Sequence, residues 1–356
     1  MKGSVDKIGI VTLYGNLNYG NRLQNYAMHT LLSRRGYEVQ TLVCKKRGLK
    51  TGGKMLRDRL QCLLGNTVAK RKAAFDRFSR QSVPTRTLYT ENGLIPDGIR
   101  EQYRYFVVGS DQVWNPEIRK KERKNFFLQF ARQEQRVAVA PSIGVSEIPA
   151  EYREEFAGYF AGFDHLSCRE AAGAADIAAL SGKPCAHIID PTLAITAEEW
   201  REFARPLPIK EKYIVVFYLG DRDATLWGKI TAFAEQNGCR IVDLANPSDR
   251  FYVSDPKEFV WLIDHAQMVF TDSFHATAFS INLHTPFYVF DRHQKQAETT
   301  HAGSRIHSLL ASFGMTDRFA GQELTEISGD SDFTAADEQV VKEREAFQRY
   351  LDSCFI

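Results

Sequence analysis

The chain is short of the features that usually betray a class at once. Its six cysteines (Cys44, Cys62, Cys168, Cys185, Cys239 and Cys354) contain no Cys-x-x-Cys pair. They read as reduced thiols, which excludes a disulfide framework and a zinc ribbon. The histidines are scattered, and His284, His293, His301 and His307 show no metal-ligand spacing. His29, His165, His187 and His265 read as core or surface residues. No apolar run approaches the ~20 residues of a membrane span. There is no Gly-x-Gly-x-x-Gly: Gly15 and Gly20 stand five apart, so a dinucleotide site is poorly supported. Repeats and low-complexity segments are absent. The formal net charge is only +2, and no nucleic-acid recognition motif accompanies it, so no nucleic-acid partner is expected. Met1 to Asp6 is charged and runs straight into a strand-like segment, so a secretion signal is not expected and the protein is placed in the cytoplasm.

What is present is ordinary globular material. The hydrophobic fraction is 44% and the charged fraction 25% over 356 residues, enough for two cores and too long for one ordinary domain. Strand-like runs at Lys7–Leu13, Tyr37–Val43, Tyr105–Val108, Val137–Ala140, Leu166–Cys168 and Ala186–Ile189 alternate with helical patterns, including Arg22–Arg34 and Glu151–Phe160. A second series begins near Ile209. Its strands are Tyr213–Tyr218, Arg240–Leu244, Met268–Thr271 and Phe287–Phe290. Its helices are Thr225–Gln236, Pro256–His265, one opening at Ser273, and Arg305–Phe313. Thr334 caps a last helix, Ala335 to Asp352. Alternation of this kind predicts α/β units with parallel sheets. The expected fold is two Rossmann-like domains facing a cleft, the GT-B arrangement, with the C-terminal helix packing back on the N-terminal domain. The expected boundaries are 1–206, 207–330 and 331–356, with the linker near Arg205–Ile209.

One region departs from the average. Lys45 to Arg86 carries thirteen Lys/Arg against two Asp. Met55, Leu56, Leu60, Leu63, Leu64 and Val68 form one face of a helix there, with Arg57, Arg59, Lys70 and Arg71 around it. Such a helix either lies on an anionic membrane surface or packs, solvated, on the N-terminal domain. Both readings remain open.

Candidate chemistry collects where strands end. Met268–Thr271 runs into Asp272-Ser273-Phe274-His275. Asp272 and Ser273 are both N-cap types, which puts His275 in a first helical turn whose N–H groups and dipole attract anions. The plain alternative is a capped helix with a surface histidine. Asn18, Gly20 and Asn21 lie in a Gly/Asn loop that suits sugar hydroxyls or phosphate, or that is simply a turn before an Asn-capped helix. Ser110 and Asp111 follow a buried strand and are candidates for sugar binding or for capping. Arg169 ends another strand; its guanidinium suits a carboxylate or phosphate, or a salt bridge to Glu170 or another acid. Asp190, before Pro191, is a sugar or hinge contact. Arg305 opens a helix after a polar loop, where a cation meets an anionic substrate or merely sits on a helix surface.

Taken in order, Gly15-Asn16-Leu17-Asn18-Tyr19-Gly20-Asn21-Arg22-Leu23-Gln24-Asn25-Tyr26-Ala27, Val107-Val108-Gly109-Ser110-Asp111-Gln112-Val113-Trp114, Ser167-Cys168-Arg169-Glu170, Asp190-Pro191-Thr192-Leu193 and Val269 to Ile281 resemble the polysaccharide pyruvyl transferase family. The resemblance implies transfer of the enolpyruvyl group of phosphoenolpyruvate onto two hydroxyls of one sugar, giving a cyclic ketal. It implies His275 as acid/base and Arg169 as the holder of phosphoenolpyruvate. It also implies a donor side in the second domain and an acceptor side in the first. The acceptor would be a polymeric glycan or an undecaprenyl-linked sugar at the inner face of the membrane, and no cofactor or metal is needed. Many members carry Arg-Leu-His or Arg-Met-His where this chain has Ser273-Phe274-His275; the Asp-Ser-Phe-His form is that of a common branch. Two other readings remain open: a GT-B glycosyltransferase using a nucleotide sugar, and a non-catalytic glycan-binding homologue.

Overall fold

The computed structural model describes residues 5–15, 17–47, 60–221, 223–292, 302–320, 327, 329 and 331–355. The chain separates into two compact units. The first holds residues 1–54, 79–194 and 343–356; the second holds 55–78 and 195–342.

In the first unit, β1 (Lys7–Val11) leads through α1 (Tyr19–Ser33) to β2 (Glu38–Lys46). After α2 (Thr67–Ser82) come β3 (Thr85–Thr90), β4 (Tyr105–Val108) and β5 (Arg136–Ala138). Then follow α3 (Ala150–Ala161), β6 (Leu166–Cys168), α4 (Ala171–Ser181) and β7 (Cys185–His187). The sheet runs β3-β2-β1-β4-β5, all parallel, and the β6–β7 pair joins it through a bridge from Val137 to His165. That is Rossmann order, whose strand direction of growth reverses between β1 and β4. β3 has no counterpart among the expected strands. It is an edge strand of Thr, Arg and Tyr around a single Leu88, with no buried residue, so it lacks the apolar pattern that reveals a strand. One core face is aromatic: Trp114, Phe127, Phe160 and Phe163 are buried together, and the Trp114 indole donates to the Phe126 carbonyl at 3.0 Å.

In the second unit, α5 (Ala197–Phe203) precedes β8 (Tyr213–Phe217), α6 (Ala224–Gln236), β9 (Arg240–Asp243) and α7 (Pro256–Asp264). β10 (Val269–Thr271), α8 (Phe274–Leu283), β11 (Phe287–Val289) and α9 (Ala302–Ser312) complete it. The order is β11-β10-β8-β9, all parallel. Every residue of β8 and β10 is buried, as befits central strands covered on both faces. The helices start where side chains can close them: Thr196 with Glu199, and Asp255 with Glu258, form capping boxes, and Pro256 stands in the first turn of α7.

The last helix, α10 (Thr334–Cys354), ends on the first unit as expected. Tyr350 donates to the Ala138 carbonyl, Arg344 to the Leu193 carbonyl, and Arg35 to Gln348 and Asp352. The division between units falls at 194/195, so Arg205–Ile209 lies inside the second. There Arg205 pairs with Asp255 and Glu258. Residues 55–78 of the basic region also belong to the second unit, not to the N-terminal domain. Arg71, counted above among that helix's surface cations, is buried. It donates to the carbonyls of Leu244 and Tyr252 and lies over the rings of Phe75 and Tyr252. Met55, Leu56, Arg57 and Arg59 of the proposed amphipathic face, with His293 and His301, lie outside the described residues.

α1 carries a buried titratable group. His29 bonds Thr41 on β2 at 2.8 Å, and burial pulls its pKa down from 6.5 to about 4. The unfolded chain therefore binds a proton below about pH 6.5 that the folded chain refuses until about pH 4, so stability falls as pH drops through that window. The full loss is on the order of 3 kcal/mol. Urea midpoints at pH 7 and pH 4.5 should converge in a His29→Gln variant; an unchanged pH dependence in that variant would exclude His29 as the source.

Candidate active site

The expected site residues form two clusters, one at each unit's point of strand-order reversal. There the loops after neighbouring strands leave in opposite directions and open a crevice at the carboxyl edge of the sheet.

In the first unit that point lies between β1 and β4, and the two loops are stitched together. The Gln24 amide donates to Thr12 Oγ1 at 3.0 Å and accepts the Ser110 N–H at 2.9 Å, while Thr12 Oγ1 donates to the Ser110 carbonyl at 3.2 Å. Asn18 caps α1 by accepting the Asn21 N–H at 3.2 Å. Gly20 lies in the buried first turn. Asn21 Nδ2 donates to the Leu13 carbonyl at 2.5 Å and to Asp111 Oδ2 at 3.3 Å. A Cβ on Gly109 would stand 1.9 Å from the Val139 carbonyl oxygen, and its φ is +134°, so only glycine fits there.

Beneath this layer lies a buried ionic network. Asp190 Oδ2 accepts from Ser110 Oγ at 2.6 Å and from Arg169 at 2.9 Å; its Oδ1 accepts the Thr192 N–H and hydroxyl at 3.0 and 2.8 Å. Arg169 Nε donates to Glu170 at 3.2 Å. The Arg169 side chain is 1% exposed and that of Asp190 0%. Burial alone would lower the Arg169 pKa, but Glu170, Asp190 and Asp111 outweigh it and hold the guanidinium firmly protonated. Three carboxylates against one guanidinium leave the cluster net acidic. Ser110 therefore caps nothing, and Arg169 sits in the salt bridges that were its alternative reading.

In the second unit the reversal lies between β8 and β10. Asp272 spans it: its carboxylate accepts the N–H groups of Leu219 and Gly220, both at 2.8 Å, and Arg292 Nε at 3.2 Å. Arg292 also donates to the Asp272 carbonyl at 2.9 Å. Thr271 Oγ1 donates to the Phe217 carbonyl and accepts the Ser273 N–H. Ser273 is the N-cap of α8, yet its side chain makes no capping bond. The expectation that Asp272 or Ser273 would cap that turn through its side chain is thus corrected: the Asp272 carboxylate is drawn off to the loop after β8. Phe274 and His275 follow, their rings edge to face at 5.3 Å. All of α8 is buried, His275 included, so it is not the surface histidine of the plainer reading.

Arg292 joins this cluster and is not among the residues expected from the sequence. The signal was its place two residues beyond an apolar strand, in Val289-Phe290-Asp291-Arg292. Arg305 is buried on α9, which packs against α8. Among the described residues no group of three or more His, Cys, Asp or Glu is arranged to hold a metal ion.

The family model described as polysaccharide pyruvyl transferase matches residues 18–294. No curated protein is a significant match. Several solved structures are similar at low identity. A Listeria monocytogenes protein described as a UDP-N-acetylglucosamine 2-epimerase is 12% identical, with 96% of this chain and 97% of that one covered and a TM-score of 0.47. The Neisseria meningitidis UDP-GlcNAc 2-epimerase is 10% identical, covering 96% and 100%, with a TM-score of 0.40. The glycosyltransferase SnogD from Streptomyces nogalater is 11% identical, covering 99% and 98%, with a TM-score of 0.40.

Proposed function

The chain belongs to the polysaccharide pyruvyl transferase family, a transferase acting on a glycan, and from that premise we propose that its donor is phosphoenolpyruvate, bound by the second unit, and its acceptor a sugar diol, bound by the first. The observation that carries this assignment is electrostatic. The first cluster is net acidic and rich in fixed hydroxyl and amide groups, which suits neutral hydroxyls. The second puts His275 and a helix N-terminus at one strand end, with Arg292 balanced by Asp272 and Arg305 adding a further cation from α9, which suits an anion and a proton transfer.

The methylene carbon of phosphoenolpyruvate takes a proton and the adjacent carbon becomes cationic. A sugar hydroxyl adds there and loses its proton. The carbon–oxygen bond to phosphate breaks, and the second hydroxyl adds with loss of its proton to close the ketal. His275 is proposed to deliver and recover protons. Arg292 and the first-turn amides of α8 are proposed to hold the anion, with Ser273 beside them. Arg305 supplies further positive charge from α9. Asn18, Asn21 and Asp111 face the acceptor, and Arg169 acts by fixing Asp190 and Glu170 beneath them.

Incubation with phosphoenolpyruvate and lipid-linked or polymeric glycans should release phosphate and leave pyruvate on the glycan. Phosphoenolpyruvate at ~100 times its Kd should stabilise the protein by about 2.7 kcal/mol. Stabilisation by UDP- or GDP-sugars instead would overturn the donor assignment.

A lipid-linked acceptor would bring the protein to the cytoplasmic face of a membrane. No described helix is long and apolar enough to cross one. Support for surface contact comes from Leu63 and Leu64, 85% and 77% exposed, with Leu60 and Val68 beside them. Flotation with phosphatidylglycerol vesicles should fall steeply with salt and with Leu63→Glu plus Leu64→Glu. Absent binding would exclude lipid contact, and salt-insensitive binding would exclude an electrostatic contribution from the basic residues.

A further inference from the structure

A small pocket of about 50 Å³, open to solvent, lies in the first unit beside the carboxyl-terminal ends of β1 and β2. None of its residues is among the candidates read from the sequence. Its apolar wall is Val11, Leu42, Val43, Ile95 and Phe126, all buried. Its polar rim is Tyr14, Arg119, Glu122 and Asn125. Tyr14 lies under the Arg22 guanidinium, 4.7 Å from ring centroid to Cζ, and is thereby fixed in place. Asn125 is committed to structure: it accepts the Ile95 N–H at 2.8 Å and donates to the Gly93 carbonyl at 3.0 Å. That leaves Arg119 and Glu122, which pair with each other at 3.0 Å on the solvent side.

The chemistry of this lining selects its ligand. An apolar wall and an aromatic ring suit the C–H face of a ring. A guanidinium beside a carboxylate can share donors and acceptors with vicinal hydroxyls. The rim pair sums to zero charge, so nothing in it favours a phosphate or a carboxylate. Thr12 belongs both to this pocket and to the bonds that hold Ser110, so the pocket adjoins the acidic cluster on the same sheet edge.

We propose that the pocket between the ends of β1 and β2 is a carbohydrate subsite that takes an uncharged sugar ring of the acceptor glycan. The proposal deepens the acceptor assignment above and rests on it for the word acceptor, but the binding itself is tested without turnover. Cys44 lines the pocket and is half-buried, which supplies a local probe. A panel of hexoses, N-acetylhexosamines and their disaccharides would be screened by saturation-transfer NMR on the full-length protein. Sugars that bind should also slow alkylation of Cys44, read peptide by peptide, while phosphoenolpyruvate and inorganic phosphate should not. Arg119→Ala with Glu122→Ala, both at the solvent-facing rim, should weaken sugar binding by about tenfold, the worth of a charge-assisted hydrogen bond. It should raise the acceptor KM and leave the phosphoenolpyruvate KM unchanged. Cys44→Phe, on the same face of β2 as Leu42 and able to fill the pocket, provides an independent second variant read by saturation-transfer NMR. The proposal is overturned if no saccharide binds, if binding is unaltered in the rim and filled variants, or if phosphate protects Cys44 instead. If sugars bind here yet no glycan accepts pyruvate, the pocket stands and the transfer reaction is what fails.

Discussion

His275→Gln is expected to lower kcat with phosphoenolpyruvate and a competent acceptor by a factor on the order of 10²–10⁴, the usual worth of a positioned acid–base group. Glutamine is the informative replacement because His275 is buried in a helix whose ten residues are all buried. Alanine would add a cavity to the loss of the imidazole. Gln keeps hydrogen-bonding capacity and much of the volume, so the urea midpoint should stay close to that of the parent. The phosphoenolpyruvate KM should move little, since the amides of α8 and Arg292 remain. Arg292→Ala should do the opposite, raising that KM, because a guanidinium that holds an anion acts in the ground state as well. Retention of full turnover by His275→Gln would remove the histidine from the chemistry.

Arg169→Ala is expected to damage the fold before it damages binding. Removing one partner of a buried ion pair leaves the other charges uncompensated, at a cost of about 3–5 kcal/mol. Here the stranded groups are Asp190 and Glu170. Adding Asp190→Asn to that variant should recover part of the loss, since it removes one stranded charge while leaving Ser110 and Thr192 an amide to bond. A residue that chiefly held phosphoenolpyruvate would behave differently: Arg169→Ala would fold normally and raise the donor KM. Chemical denaturation alongside kinetics separates the two, and an unchanged midpoint would return Arg169 to the role of anion holder.

The strands and the motifs at their ends were legible because central parallel strands are continuous apolar runs. Tyr213–Phe217 and Val269–Thr271 need no partner information to be seen. Strand order was not legible, and it is order that makes a strand end a site. Asp272 reads as an N-cap in sequence because capping is local. Its actual acceptances, from Leu219 and Gly220, depend on β8 lying next to β10. Arg169 shows the same limit: Glu170 is adjacent in sequence, but Asp190 becomes its partner only through the pairing of β6 with β7. β3 was hidden by its own composition, and α2 by its basicity, which suggested a solvated face although Arg71 is an anchor.

Two helices begin in one unit and finish in the other: α2 crosses at 78/79 and α10 at 342/343. With the junctions at 54/55 and 194/195, the polypeptide passes between the units four times. For recombination this means that the two units are not separable cassettes. A chimaera spliced once near residue 200 would take Arg71 from one parent and its carbonyl acceptors at Leu244 and Tyr252 from the other. It would likewise take Tyr350 and the Ala138 carbonyl from different parents. Exchange of sequence between relatives is therefore open to loop grafts at the sheet edge and closed to a single crossover.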